Sequence, residues 1–154
     1  VSRKISIVPF EPWHAAKIRL RDFDARCFAG IGHSPAAMGR FWEAYGPGFT
    51  GLLPDGEVAA CGGVAIQWPG FGVGWAITSD LVDDYMLTFH KTFKRMIAHI
   101  ERSRGLVRIQ TTVHADHLVS RRWLKRLGFE TEGLMRRYIG GDDYYLMARV
   151  RHGS

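Results

Sequence analysis

The feature that most limits the fold of this chain is a change of hydrophobic period near Tyr85. Before it, short apolar runs end at turns rich in glycine and proline. After it, Tyr85, Phe89, Phe93, Met96, Ile97 and Ile100 recur at three- and four-residue steps. That spacing predicts an amphipathic helix of about five turns, ended near Gly105, with Lys91, Lys94, Arg95 and Arg102 off the apolar stripe. Strand-like segments lie on both sides of it, so the expected architecture mixes helices with a sheet.

The flanking segments can be placed in turn. Ile5 to Phe10 reads as a first strand, with Pro9 suited to an edge or a strand end. Trp13 to Cys27 is loosely helical through Ile18, Leu20 and Phe23. Pro35 to Tyr45 is a clearer helix: Ser34 can cap it, Pro35 fits the first turn, and Gly46-Pro47-Gly48 stops it. A meander of three antiparallel strands is predicted next, at Phe49–Leu53, Val58–Gln67 and Gly72–Thr78. Its turns are Pro54-Asp55-Gly56 and Trp68-Pro69-Gly70. Beyond the long helix, Val107–Val113 is a strand. A shorter helix follows, with Val119, Trp123, Leu124 and Leu127 on one face, Arg121, Arg122, Lys125 and Arg126 on the other, and Gly128 at its end. Strands Phe129–Ile139 and Tyr144–Val150 close the chain around a Gly140-Gly141-Asp142-Asp143 loop. The predicted order is β, α, α, β, β, β, α, β, α, β, β.

At 154 residues the chain is expected to form one domain spanning 1–154. No apolar run approaches the roughly 20 residues of a membrane span. The N-terminal Val-Ser-Arg-Lys-Ile-Ser lacks the order of a secretory signal, so the cytoplasm is the expected location. The two cysteines, Cys27 and Cys61, form no CxxC or Cys/His cluster, and no metal site is expected. Net charge is +6, and residues 101–154 hold 11 basic against 6 acidic residues. An anionic partner is therefore to be sought in the last third of the chain.

The segment His117-Leu-Val-Ser120-Arg-Arg122-Trp-Leu-Lys-Arg-Leu-Gly128-Phe129-Glu-Thr-Glu132-Gly133, taken with the element order, resembles the GNAT superfamily of acyl-CoA N-acyltransferases. The likeness is to the branch that acetylates protein N-termini and ribosomal proteins. Ser120, Arg122, Leu127, Gly128, Phe129, Glu132 and Gly133 match that pattern, and His117 stands where an Asn is usual. The topology resemblance covers nearly the whole chain; the specific motif covers about residues 117–150. It implies an α+β fold in α/β/α layers: a mixed, mostly antiparallel twisted sheet of about seven strands, flanked by about four helices. It also implies acetyl-CoA as co-substrate, direct acetyl transfer to an amine of a small molecule or protein, and no metal.

In such folds the fourth and fifth strands splay apart and the acyl-pantetheine lies in the gap. The resemblance thus assigns Trp75, Ala76, Ile77, Thr78 and Ser79 to the cofactor edge, and Asp116, Ser120, Arg121 and Arg122 to the cofactor side of the following helix. The usual glycines of the pyrophosphate loop are replaced by Asp83 and Tyr85. Asp80 is read as an N-cap, with Asp83 and Asp84 as first-turn partners of the helix dipole.

Three residues are candidates for the chemistry. An amine nucleophile must lose a proton, and the leaving thiolate is helped by an acid. His114 and His117, with Asp116 between them, form the densest titratable cluster, and imidazole titrates at about 6.5. The Tyr that serves as general acid in the family is replaced by Leu124; Tyr138 is the remaining tyrosine candidate. His14, His90 and His99 are expected on the surface or on helix faces.

The basic helix face has three readings: a solvated face, a site attracting CoA phosphates, or a nucleic-acid contact. The last lacks an aromatic stacking platform. A non-catalytic protein of the same fold, of a kind found among phage-encoded chains, is the alternative to an enzyme. An exposed last strand could pair with a second copy to give a homodimer.

Overall fold

The computed structural model describes residues 4–151. Its centre is one seven-stranded sheet in the order β1-β2-β3-β4-β5-β7-β6. The strands are β1 (Ser6–Pro9), β2 (Gly48–Leu52), β3 (Val58–Trp68), β4 (Phe71–Thr78), β5 (Arg108–His114), β6 (Glu130–Ile139) and β7 (Asp142–Val150). All neighbours are antiparallel except β4 and β5. The helices are α1 (Pro12–Lys17), α2 (Asp22–Ile31), α3 (Pro35–Tyr45), α4 (Met86–Arg104) and α5 (Leu118–Arg126), with a short 3-10 helix at Asp80–Tyr85.

Two apolar cores form, one on each face of the sheet. Phe89, Phe93, Ile97 and Ile100 of α4 are buried against Val64, Ile109, Val113 and Met147, with Trp123 and Leu124 of α5 packed alongside. This is the stripe that the period change encodes, and α4 ends at Gly105 in the left-handed conformation, φ 61°. On the opposite face Phe10, Ala15, Ile18, Cys61 and Ile77 form the second core, joined by Trp42 and Trp75.

Several expectations are corrected. The region Trp13–Cys27 is two helices, because Ile18 adopts an extended conformation (φ −64°, ψ 141°) that buries its side chain and ends α1. Five α-helices therefore flank the sheet where about four were expected. Val119 lies off the apolar face, 68% exposed, because the first turn of α5 carries it past the core that Trp123 and Leu127 reach. The hairpin loop is shorter than predicted: Gly140 and Gly141 alone turn the chain, both at positive φ (60° and 82°), and Asp142 already belongs to β7.

His14 is not a surface residue. It is 1% exposed, its Nδ1 accepts from the Glu11 backbone N–H at 3.0 Å, and the same atom lies 2.8 Å from Thr50 Oγ1. Burial holds its pKa below the ordinary imidazole value. Asp80 does not cap the long helix either. Ser79 caps the 3-10 helix, its hydroxyl accepting from Leu81 N–H at 3.3 Å, and no acid stands in the first turn of α4.

Candidate active site at the splayed strands

The parallel pair β4–β5 defines the site. It is paired only at Phe71–Val73 with Arg108–Gln110; beyond that the strands part. The cause lies in the flanking partners. β4 stays in register with β3 as far as Thr78, and β5 stays with β7 as far as His114, so the two halves of the sheet diverge with their own twists. Between them, on the α4–α5 side, lies an apolar cavity of about 50 Å³. Its walls include Gly74 and Ala76 of β4, Thr111 of β5, Phe93 of α4, and Trp123 and Leu124 of α5.

The strand-edge residues behave differently from one another. Trp75 stacks on Trp42 at 4.1 Å and meets Phe10 edge-on at 4.8 Å, so its side chain faces α3. Ile77 is buried in the same core, and Ala76 is exposed. Thr78 Oγ1 accepts from Arg21 Nε at 3.1 Å. Ser79 is fully buried, its hydroxyl donating to the Ala59 carbonyl at 3.0 Å.

His114 uses both ring nitrogens. Nδ1 accepts from the Asp116 N–H at 3.1 Å, so Nε2 carries the proton and donates it to Asp142 at 3.0 Å. Arg26 of α2 meets the same carboxylate at 2.7 Å. The His114 hydrogen bond, with Arg26, holds Asp142 below the usual carboxylate range.

His117 stacks on Phe23 at 4.3 Å, and its Nε2 lies 3.1 Å from Ser120 Oγ. Burial, then the charge of Arg21 and the neighbouring His114, lower its pKa, which favours neutral imidazole. Asp116 is exposed at the corner. Tyr138 is 53% exposed on β6, its ring 5.9 Å from that of Tyr144, whose ring lies in turn 5.2 Å from that of His114.

The helix α5 divides its basic residues. Arg121 turns inward: it donates to the Ala115 carbonyl at 3.3 Å and lies 4.1 Å above the Tyr145 ring, a favourable cation–π position. It thus leaves the solvated face on which the helical period puts it. Arg122, Lys125 and Arg126 stay exposed.

A second group of residues at this site carries no motif. Helix α2 crosses the splay, yet none of its residues is fully buried. Arg21, which precedes it, donates to Thr78 Oγ1, to the Ser79 carbonyl at 2.9 Å and to Asp83 at 2.6 Å. One turn on, Asp24 is partly buried; burial raises its pKa from 3.8 to about 6 against the lowering effects of the nearby Thr78 backbone and of Arg21. Another turn on, burial raises the pKa of Cys27, and that of Tyr144 beside it. The partners of Arg21 and Asp24 lie more than fifty residues away in sequence. Nothing in the weak helical period of residues 13–27 signals them.

The donor set suits an acyl-CoA. The cavity is apolar, and Trp123, on its wall, keeps a buried indole N–H without a partner. The N-terminus of α4, which follows directly on the 3-10 helix Asp80–Tyr85, has no acid in its own first turn and no side-chain cap. Asp83, which would repel phosphate, is paired with Arg21.

The architecture is that of the GNAT acetyltransferases. An acetyltransferase of the GNAT family from Streptococcus pneumoniae matches with TM-score 0.71 at 18% identity, over 96% of this chain and 100% of its own. The ribosomal-protein-S5-alanine acetyltransferase of Vibrio fischeri matches at TM-score 0.66 and 15% identity, over 95% and 92%. The protein yncA of Salmonella typhimurium, solved with its cofactor acetyl-CoA, matches at TM-score 0.70 and 13% identity, over 98% and 97%. No protein-family model and no curated protein matches the sequence. Among the described residues no helix is long and apolar enough to cross a membrane, and no group of three or more His, Cys, Asp or Glu is placed to hold a metal ion.

Proposed function

We propose that this protein transfers an acetyl group from acetyl-CoA to an amine by direct attack. The observation that carries the reading is the parting of β4 from β5 beyond Val73 and Gln110, which leaves an unpaired strand edge beside an apolar cavity. Backbone alternation along β4 turns the N–H and C=O groups of Gly74, Ala76 and Thr78 toward that edge, because the intervening residues bond to β3. These groups would hold the pantetheine arm, with Trp75 and Ile77 keeping the edge in place from the α3 face. The N-termini of α4 and α5, with Ser120 and Arg122, would hold the phosphates, and Arg121 would brace α5 on Tyr145.

Acetyl-CoA supplies an activated thioester. The rest of the chemistry falls to the corner where α2 meets β5. His114 orients Asp142, which in turn fixes Arg26 of α2. The candidates for accepting the amine's proton at this corner are His117 and Asp24, each within reach of Arg21's charge.

The competing reading, a non-catalytic protein of this fold, rests on Asp80, Asp83 and Asp84 at the position of the family's pyrophosphate loop. Calorimetry with acetyl-CoA separates the two. Micromolar binding corresponds to about 8 kcal/mol and supports the transferase. No heat at millimolar acetyl-CoA refutes it.

A further inference from the structure

The cavity between the strands and α4–α5 does not stop where β4 and β5 join. Along β4, Trp75 and Ile77 belong to the opposite core, so the alternate residues Gly72, Gly74 and Ala76 face α4 and α5. That face of the strand presents nothing larger than a methyl group. Packing enforces the two glycines: a Cβ on Gly72 would clash with Val64 Cγ1, and one on Gly74 would come within 3.2 Å of Ile109 Cγ2. Two missing side chains in a row leave the hollow under α4 and α5.

The direction of the hollow follows from the topology. Helix α4 begins beyond Thr78 and α5 beyond His114, at the open end of the splay, so the later turns of both lie toward the fork at Val73–Gln110. The wall begins at Ala76 and Thr111, in the splay, and continues to Ile97, Ile100 and Leu127 on those later turns. Ile109, also on the wall, stands opposite Gly72 on a paired rung, past the fork. The floor is closed, with Ile100, Ile109 and Leu127 each no more than 2% exposed. Among the described residues that line it, only Thr111 and Trp123 carry a polar side-chain atom.

We propose that the donor site is built for an acyl group longer than acetyl, a straight chain of about four carbons whose tail fills the cavity past the fork. The proposal rests on the acyl-transfer reading. With the phosphates at the N-termini of α4 and α5, an arm laid along β4 points its thioester toward the fork. A volume of about 50 Å³ holds three or four water-sized groups at roughly 10–15 Å³ each. The acetyl methyl and the end of the arm use part of it, which leaves room for about two methylene groups. An apolar hollow does not hold water well, so each methylene placed there exchanges water for carbon contacts. The longer group transfers with the same balance as acetyl. The C–N bond forms, the C–S bond breaks, and the sulfur keeps the electron pair and gains the proton that the amine loses.

The test is a calorimetric series on the full chain with acetyl-, propionyl-, butyryl- and hexanoyl-CoA, which needs no knowledge of the amine. Each buried methylene should tighten binding about fourfold, so butyryl-CoA should bind about 15-fold more tightly than acetyl-CoA. Hexanoyl-CoA should bind more weakly than butyryl-CoA, because the floor is closed. Ile97→Phe places a ring in the hollow. It should abolish the butyryl gain and leave acetyl-CoA binding within about twofold of the parent's. Ile97→Ala deepens the hollow instead, and should move the optimum toward hexanoyl-CoA. The series on the parent stands even where a variant fails to fold.

Acetyl-CoA binding as tight as that of butyryl-CoA, or tighter, overturns the chain-length assignment and leaves the transferase reading standing. So does a gain that continues undiminished to hexanoyl-CoA, which marks a tail lying on an open surface. A butyryl gain that survives in folded Ile97→Phe overturns the placement of the tail past the fork. Failure of all four thioesters to bind removes the transferase reading itself, and the acyl pocket with it.

Discussion

Replacing Asp24 by asparagine is expected to make the protein more stable at neutral pH. The carboxyl is raised from 3.8 to about 6 by burial. Between those values the folded protein binds a proton that the unfolded chain has released, so stability falls as pH rises through the window. At about 1.4 kcal/mol per pH unit, the ionised carboxylate costs the fold about 3 kcal/mol above pH 6. Asparagine has nearly the same shape and carries no charge.

The loss of a carboxylate from the first turn of α2 opposes this gain by about 0.3–1 kcal/mol. Desolvation wins, leaving a net gain of about 2 kcal/mol, or about 4–8 °C in Tm for a domain of this size. Urea unfolding at pH steps from 4 to 8 measures it. The difference between Asp24→Asn and the parent should be small at pH 4, grow to pH 6 and stay level above. An asparagine variant that is less stable at pH 7.5, or a gap that does not change with pH, would refute the reasoning.

The remaining predictions concern other parts of the site and its supports. His114→Ala should lower stability by about 1–3 kcal/mol in chemical denaturation, because it orphans the Asp116 N–H and frees Asp142, whereas His117→Ala should leave stability nearly unchanged. Leu124→Trp should fill the cavity between the strands and weaken acetyl-CoA binding at least about tenfold in calorimetry, with the melting temperature within a few degrees of the parent's. Glu101 is 6% exposed and meets Arg149 through both oxygens at 2.9 Å, so Glu101→Ala should cost about 3–5 kcal/mol by leaving a partly buried guanidinium unpaired. Urea midpoints near the parent's would refute that last figure.

The sequence by itself determined what local chemistry can encode. Phe89, Phe93, Ile97 and Ile100 set α4 through their spacing, and Ser34 with Pro35 set the start of α3, its hydroxyl accepting from the Ala37 N–H at 3.1 Å. Gly-rich turns fixed the meander and the final hairpin. Each of those signals acts within a few residues, so it survives in the one-dimensional pattern. The pair His114 and His117 was also legible, as a cluster at one strand end.

Only the tertiary structure decided what those residues do. The splay of β4 and β5 arises because each strand follows a different partner, and no segment of sequence contains both. His14 became a buried acceptor through Thr50, 36 residues on, and Arg121 left its solvated face for the ring of Tyr145. Asp24 is an ordinary helix-start carboxylate until the fold brings it near Thr78 and strips part of its water. Desolvation belongs to a place in the packed molecule rather than to a residue type, which is why this acid–base signal has no trace in the sequence.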